Sequence, residues 1–214
     1  VAQQEIYVGY GTSPQIAVLM PGDIRVKEMI ALPSPVNGIC TEGKFLYASL
    51  KDNEGRIIVY DLHKNKISKT IQVGYGPCDI SASGKNLLFV ANRYSNDVSV
   101  VDTRKFTEIK RIRTIREPSA LSVSPSGKLL AVTNSLPYAS AMDEYISARV
   151  TIINAGKLEV IKNIELPNGS YSLNDVIFSE DGNYIYVSHQ IGRYNVLTNQ
   201  IEKGWMNTNA VSVI

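Results

Sequence analysis

Pro118-Ser119-Ala120-Leu121-Ser122-Val123-Ser124-Pro125-Ser126-Gly127-Lys128-Leu129-Leu130-Ala131-Val132-Thr133-Asn134 decides how this chain folds. A run of small and apolar residues enters a tight polar turn and leaves it as a second apolar, β-type run, the layout of two antiparallel strands. The same layout recurs at Glu42-Gly43-Lys44-Phe45-Leu46-Tyr47, Ser83-Gly84-Lys85-Asn86-Leu87-Leu88-Phe89 and Asp181-Gly182-Asn183-Tyr184-Ile185-Tyr186. The turn glycines lie 41, 43 and 55 residues apart. The first two spacings match one four-stranded propeller blade of roughly 40 to 45 residues.

Each period reads as four short strands, a to d. In the clearest unit they are residues 77–82, 87–92, 97–103 and 108–115. Strands b and c are near-continuous apolar runs (Leu87-Leu88-Phe89-Val90-Ala91; Val98-Ser99-Val100-Val101), as expected when neighbouring sheets cover both faces. Strand d alternates, as a half-solvated outer edge should. No stretch sets apolar residues at i, i+3, i+4 and i+7 behind a cap, so no helix competes. The expected fold class is all-β, a β-propeller of four-stranded antiparallel blades.

At the start, residues 6–9, 16–20 and 25–32 read as b, c and d; at the end, 174–179, 184–189 and 210–214 read as a, b and c. The expected arrangement is three full blades and two three-stranded partial ones, divided at about 1–33, 34–74, 75–116, 117–167 and 168–214. Partial blades that supply b and c twice do not close a regular ring. The expectation is therefore an incomplete propeller, part of a seven-bladed ring, whose open edges and apolar faces are covered by about two further blades or by another copy. A chain that begins at Val1 rather than Met reads as a processed, trimmed or partial product.

Composition narrows the function classes. Among 214 residues, 22 Lys plus Arg against 20 Asp plus Glu leave a net charge of +2, too near neutrality for phosphate-driven nucleic-acid binding. The longest apolar stretches fall far short of the roughly 20 residues of a spanning helix, so no membrane span is expected. Cys40 and Cys78 build no disulfide framework and are expected as free thiols on opposite faces of adjacent inner strands. No Cys-x-x-Cys-His is present to attach c-type haem.

The run from Pro118 to Lys128 with Val132-Thr133-Asn134, and Val90-Ala91-Asn92 with Val98-Ser99-Val100-Val101-Asp102 one period earlier, resembles the YVTN-type β-propeller repeats of archaeal and bacterial surface-layer-like proteins, related to the propeller of cytochrome d1 nitrite reductases. The likeness covers most of residues 35–166. It implies a propeller working outside the cytoplasm, periplasmic or at the surface of a bacterial or archaeal cell. The tail, Gly192-Arg193-Tyr194-Asn195 through Glu202-Lys203-Gly204-Trp205-Met206-Asn207-Thr208, resembles propeller modules that accompany a di-haem cytochrome c peroxidase-type module. That implies haem supplied by another domain or chain.

Antiparallel a-to-d blades put the d-to-a and b-to-c connections on one face. The two longest insertions, 136–147 and 190–209, are both b-to-c connections, which marks that face as functional. At the start of strand a, lining the central channel, equivalent positions are read as Asn37, Asp79, Ala120 and Asp175. Asn37, Asp79 and Asp175 are candidate ligands for a hard cation such as Ca²⁺, as in lactonase-type propellers; the competing reading is a wet channel mouth. His189, in the place of Asn92 and Asn134, is a candidate rim ligand or base, against a solvent-facing turn histidine. Arg93 and Tyr94 on the same face, Tyr138, Asp143, Glu144 and Tyr145 in one insertion, and Arg193, Tyr194 and Trp205 in the other, combine rings and charges suited to a protein, peptide or carbohydrate ligand; the competing reading is that they anchor the loops. Lys110, Arg111, Arg113 and Arg116 are read as protection of an outer strand edge. The leading functional expectation is a binding or scaffold module acting through the insertion face. The alternative is part of a propeller enzyme, either a metal-dependent lactonase or the substrate side of a haem protein.

Overall fold

The computed structural model describes residues 5–22, 25–140, 142–193 and 206–214. These form five antiparallel sheets in chain order, and no helix occurs among them. The first contains β1 (Ile6–Gly9), β2 (Gln15–Leu19) and β3 (Val26–Ala31). The second contains β4 (Val36–Glu42), β5 (Phe45–Leu50), β6 (Arg56–Asp61) and β7 (Lys66–Gln72). The third contains β8 (Pro77–Ala82), β9 (Leu87–Asn92), β10 (Asp97–Asp102) and β11 (Thr107–Arg113). The fourth contains β12 (Pro118–Val123), β13 (Leu129–Asn134), β14 (Arg149–Asn154) and β15 (Glu159–Glu165). The fifth contains β16 (Ser170–Phe178), β17 (Ile185–Gly192) and β18 (Asn207–Val213). The chain is an incomplete β-propeller, with β4, β8, β12 and β16 stacked in sequence along its inner side.

The core lies between sheets, which is why strands b and c carry little polar alternation. Successive side chains of a strand leave by opposite faces. Leu88 and Val90 of β9 therefore pack against the second sheet with Tyr47, Ile57 and Val59. Phe89 and Ala91 pack against the fourth with Leu130, Val132 and Ile153. Within the four-stranded sheets the d strands are the ones that face water broadly: β7 and β11 each bury a single side chain, Ile71 and Ile112.

The c-to-d turns repeat one device. Asp61 Oδ1 accepts from the amides of His63 and Lys64, Asp102 Oδ1 from those of Arg104 and Lys105, and Asn154 Oδ1 from those of Gly156 and Lys157. Four residues on, the chain turns through the left-handed region at Asn65, Phe106 and Leu158 (φ 48, 54 and 57°). Caps of this kind satisfy the turn amides that the sheet leaves free.

The inner strands depart from regular alternation. Each of β4, β8, β12 and β16 has a register irregularity near its start, between Val36 and Ile39, Pro77 and Asp79, Pro118 and Ala120, and Tyr171 and Asp175. A bulge resets which face a side chain leaves by. Cys40 and Cys78 are free thiols, but each points to the following sheet rather than to opposite faces: Cys40 joins the cluster with Ile80 and Leu88, and Cys78 joins the one with Leu121 and Leu130.

The fifth sheet pairs farther than expected, with Gly192 opposite Asn207, so strand c starts at Asn207. Its outer side exposes Ile177, Tyr186, Val211 and Val213, at 61, 39, 66 and 59%.

Candidate functional site

The inner strands and the b-to-c connections meet at one end of the sheets. Here Asp79 stands opposite Ala91, Ala120 opposite Thr133 and Asp175 opposite Ser188, three equivalent positions. In the second sheet that position belongs to Gly38, whose amide donates to Ser49 Oγ as the amide of Ala120 donates to Thr133 Oγ1. Asn37 lies one step earlier, in the place of Cys78 and Ser119. Gly38 and Asp79 each lie five residues before their turn glycines, Gly43 and Gly84, which puts Asn37 one residue off the expected ring.

That earlier position links the sheets. Asn37 Nδ2 donates to Pro77 O at 2.9 Å, Cys78 Sγ to Pro118 O at 3.1 Å and Ser119 Oγ to Leu173 O at 2.6 Å. Each side chain reaches the same carbonyl position of the next sheet. Asp79 makes a further link: its Oδ2 accepts from Leu121 N of the fourth sheet and its Oδ1 from Ile80 N. Burial pushes its carboxyl up to about 6, opposed by those two amides and assisted by the negative charge of Asp175. Asp175 Oδ1 accepts from Val176 N. Both carboxylates therefore already accept backbone hydrogens. No cluster of three or more His, Cys, Asp and Glu able to hold a metal occurs among the described residues.

At the channel mouth Asn37, Lys51, Asp52, Asn53, Arg93 and Tyr94 line a polar cavity of about 460 Å³, together with Cys78 and Ser119. The Tyr94 ring lies against Gly76, where a Cβ would stand 2.4 Å from a ring carbon. Gly76 also takes a positive φ of 65°, so that close approach needs glycine twice over.

A second cavity of about 600 Å³, mostly apolar, opens between the fourth and fifth sheets. Leu136, Pro137, Ala139 and Ile146 of the long insertion form its wall, with Arg116, Gly169, Tyr171 and Gly192 around them. Sequence reasoning missed Leu136, Tyr171 and the role of Arg116. Arg116 lies beyond β11, in the d-to-a loop, and donates to Pro137 O at 3.2 Å, so it does not belong to the edge-protecting cluster. Its place after the last alternating residue of the strand is the signal that separates it.

The insertion is tied down in part. Tyr145 Oη donates to Leu166 O at 2.8 Å, and Asn168 bonds both Ile146 N and Glu144 O. Asp143 Oδ2 accepts from Ser140 N, while Tyr138 stacks with the Arg149 guanidinium at 5.0 Å and remains 59% exposed. Met142 is 92% exposed. Of the second insertion, Arg193 is exposed and its amide meets Met206 O; Tyr194 and Trp205 lie outside the described residues.

The structure places His189 inside the fifth sheet rather than in an exposed turn, 3% exposed, with Nε2 2.8 Å from Ser212 Oγ. Asn92 and Asn134 make the equivalent bonds, to Ser99 Oγ at 2.8 Å and Thr151 Oγ1 at 2.9 Å.

No family model matches the chain. Over 121 residues, 56% of this chain and 29% of the relative, it is 29% identical to hydrazine synthase subunit beta of Kuenenia stuttgartiensis. In architecture it is similar to the solved Kuenenia stuttgartiensis hydrazine synthase, with a TM-score of 0.82 and 22% identity over all of this chain and 66% of that one. It is also similar to a functionally unknown protein of Desulfotomaculum acetoxidans DSM 771, with a TM-score of 0.71 and 14% identity over 87% of this chain and 61% of that one. The chain thus spans less than two thirds of each of these relatives, and the structural likenesses, at such identities, show the fold alone.

Proposed function

We propose that this chain is the propeller part of an extracytoplasmic, multi-subunit enzyme assembly, a binding scaffold that meets a protein partner through its d-to-a and b-to-c face. The observation that carries this reading is the 136–147 insertion, which raises an apolar wall over a cavity of about 600 Å³ and leaves Tyr138 and Met142 exposed. Exposed apolar and aromatic groups beside a concave surface suit a protein interface. The curated relative is a subunit by name, which supports a role within an assembly. The YVTN-type repeat and a bacterial or archaeal, extracytoplasmic setting belong to the same reading.

Further blades of a seven-bladed ring fit the open side. Asn174 occupies the place from which Asn37, Cys78 and Ser119 each reach the following sheet, and it is exposed. The apolar outer side of the fifth sheet is what such a blade would bury.

A haem, implied by the tail's resemblance, finds no histidine placed to ligate it among the described residues. The sequence has no Cys-x-x-Cys-His, His189 is buried between strands, and His63 is exposed on the c-to-d turns at the opposite end.

Photo-crosslinkers at Tyr138 and Met142, compared with one at Lys64 on the opposite face, test the scaffold reading in the native host. Crosslinks to one protein from the first two positions only are expected. Crosslinks from Lys64 alone, or transfer from Tyr138 and Met142 only to carbohydrate or short peptides, would overturn a protein partner on this face. The second reading, a metal-dependent propeller enzyme, draws on the Asp79–Asp175 pair. It predicts a rise in melting temperature with Ca²⁺ that Asp175→Asn abolishes.

A further inference from the structure

The polar cavity at the channel mouth holds a guanidinium without a partner. Arg93 makes no side-chain hydrogen bond or ion pair among the described residues, and its Nε is buried with no acceptor. Guanidinium donors removed from water are costly unless a carboxylate, phosphate or carbonyl meets them. Two other arginines near it are met: Arg56 grips Asp52, and Arg116 reaches Pro137 O.

The surrounding charges leave the cavity cationic. Asp52 is its one lining carboxylate, and both oxygens are taken. Oδ2 accepts from Arg56 Nε at 3.0 Å and Nη2 at 2.9 Å, and Oδ1 accepts from the amides of Glu54 and Gly55. Lys51, also lining the cavity, has its Nζ 3.3 Å from Gly11 O, a single long contact for three donors. Arg93 and Cys78 line the same cavity, and the positive charge of Arg93 opposes the rise that burial imposes on the Cys78 thiol.

We propose that this cavity is a binding site for a small oxyanion ligand of the carboxylate or phosphate class, held by the fork of Arg93 and the ammonium of Lys51. The planar fork of an arginine pairs with two oxygens of one carboxylate or phosphate, whereas an ammonium supplies a point charge. Asn53 offers an amide on the same wall. Tyr94, 73% exposed at the rim, offers a ring face to the rest of the ligand. A volume of about 460 Å³ exceeds what a lone ion needs and falls in the range of ligand pockets, roughly 300–1,000 Å³. This site is separate from the apolar surface under the 136–147 insertion, and it would stand even if no protein partner bound there.

Calorimetric titration of the full-length protein with succinate and with inorganic phosphate, at ionic strength held constant with sodium chloride, tests the site. Saturable binding of at least one anion is expected, weakened about tenfold or more by Arg93→Gln and less by Lys51→Gln. Arg93→Lys, which keeps the charge and loses the fork, should bind less tightly than the parent. The probe that binds names the class. Circular dichroism and melting of the unliganded variants establish that each is folded, and if the glutamine variant is not, Arg93→Lys and Lys51→Gln carry the comparison. Absence of saturable binding for both anions, or undiminished affinity in folded Arg93 variants, would overturn the proposal.

Discussion

The Asp79 carboxylate of the third sheet accepts a hydrogen bond from the backbone N–H of Leu121 in the fourth, with 2.8 Å between Oδ2 and N. A titratable group thus sits in the contact between two sheets, and burial raises its carboxyl from an ordinary 3.8 to about 6. The folded protein then holds this proton more tightly than the unfolded chain does. Between about pH 4 and pH 6 the Asp79 contribution to stability falls as pH rises. Asp79→Asn removes the titration and keeps an acceptor. The stability of this variant relative to the parent should improve by about 2–3 kcal/mol from pH 4 to pH 7, read from urea unfolding at both pH values. A difference that stays constant with pH would refute the assignment.

Both thiols should be inert while the protein is folded. Burial pushes Cys40 and Cys78 up to about 12. At pH 8 the thiolate is then on the order of one part in 10⁴, and it is the thiolate that reacts. Iodoacetamide at pH 8 should leave both unlabelled in buffer and modify both in urea. Rapid labelling of either in buffer would contradict the packing described.

Gly38 has no room for a side chain. A Cβ there would meet Asp79 Cα at 3.0 Å and Asp79 Oδ1 at 3.2 Å, and the nearer atom is backbone that cannot swing aside. Gly38→Ala should cost about 1–3 kcal/mol through strain between the second and third sheets. Ala120→Gly, at the equivalent place where a Cβ is already accommodated, should cost about 1 kcal/mol or less. Thermal unfolding of the two variants compares them directly.

His189 should be replaceable by asparagine. Asn92 and Asn134 bond the c-strand hydroxyls of Ser99 and Thr151 from the same position. His189→Asn should stay within about 1 kcal/mol of the parent, whereas His189→Leu, which strands the Ser212 hydroxyl, should lose about 1–3 kcal/mol. A large loss of ligand binding in a stable His189→Asn protein would instead give the ring a role beyond pairing strands.

The sequence by itself determined the blade repeat. Turns such as Ser126-Gly127-Lys128 and apolar runs such as Leu87–Asn92 are local signals, read within a few residues of one another. Their spacing carries the sheet order because consecutive strands pair with their neighbours. It also located the insertion face and brought Arg93 and Tyr94 to notice.

Only the tertiary structure decided which inner residues face the channel and which charges are left without partners. Val36-Asn37-Gly38-Ile39 reads as unbroken strand, yet packing of the inner strands sets Gly38 rather than Asn37 against Asp79, and a bulge resets the faces by which its side chains leave. The same effect turned Cys78 toward the fourth sheet. His189 reads as a turn residue until β17 is seen to continue to Gly192 and enclose it. Arg93 and Arg116 look alike in sequence, but one has a carbonyl within 3.2 Å and the other has none. Period and polarity are properties of a segment, whereas bulges, burial and charge pairing depend on which sheet packs alongside, through contacts between residues some forty positions apart.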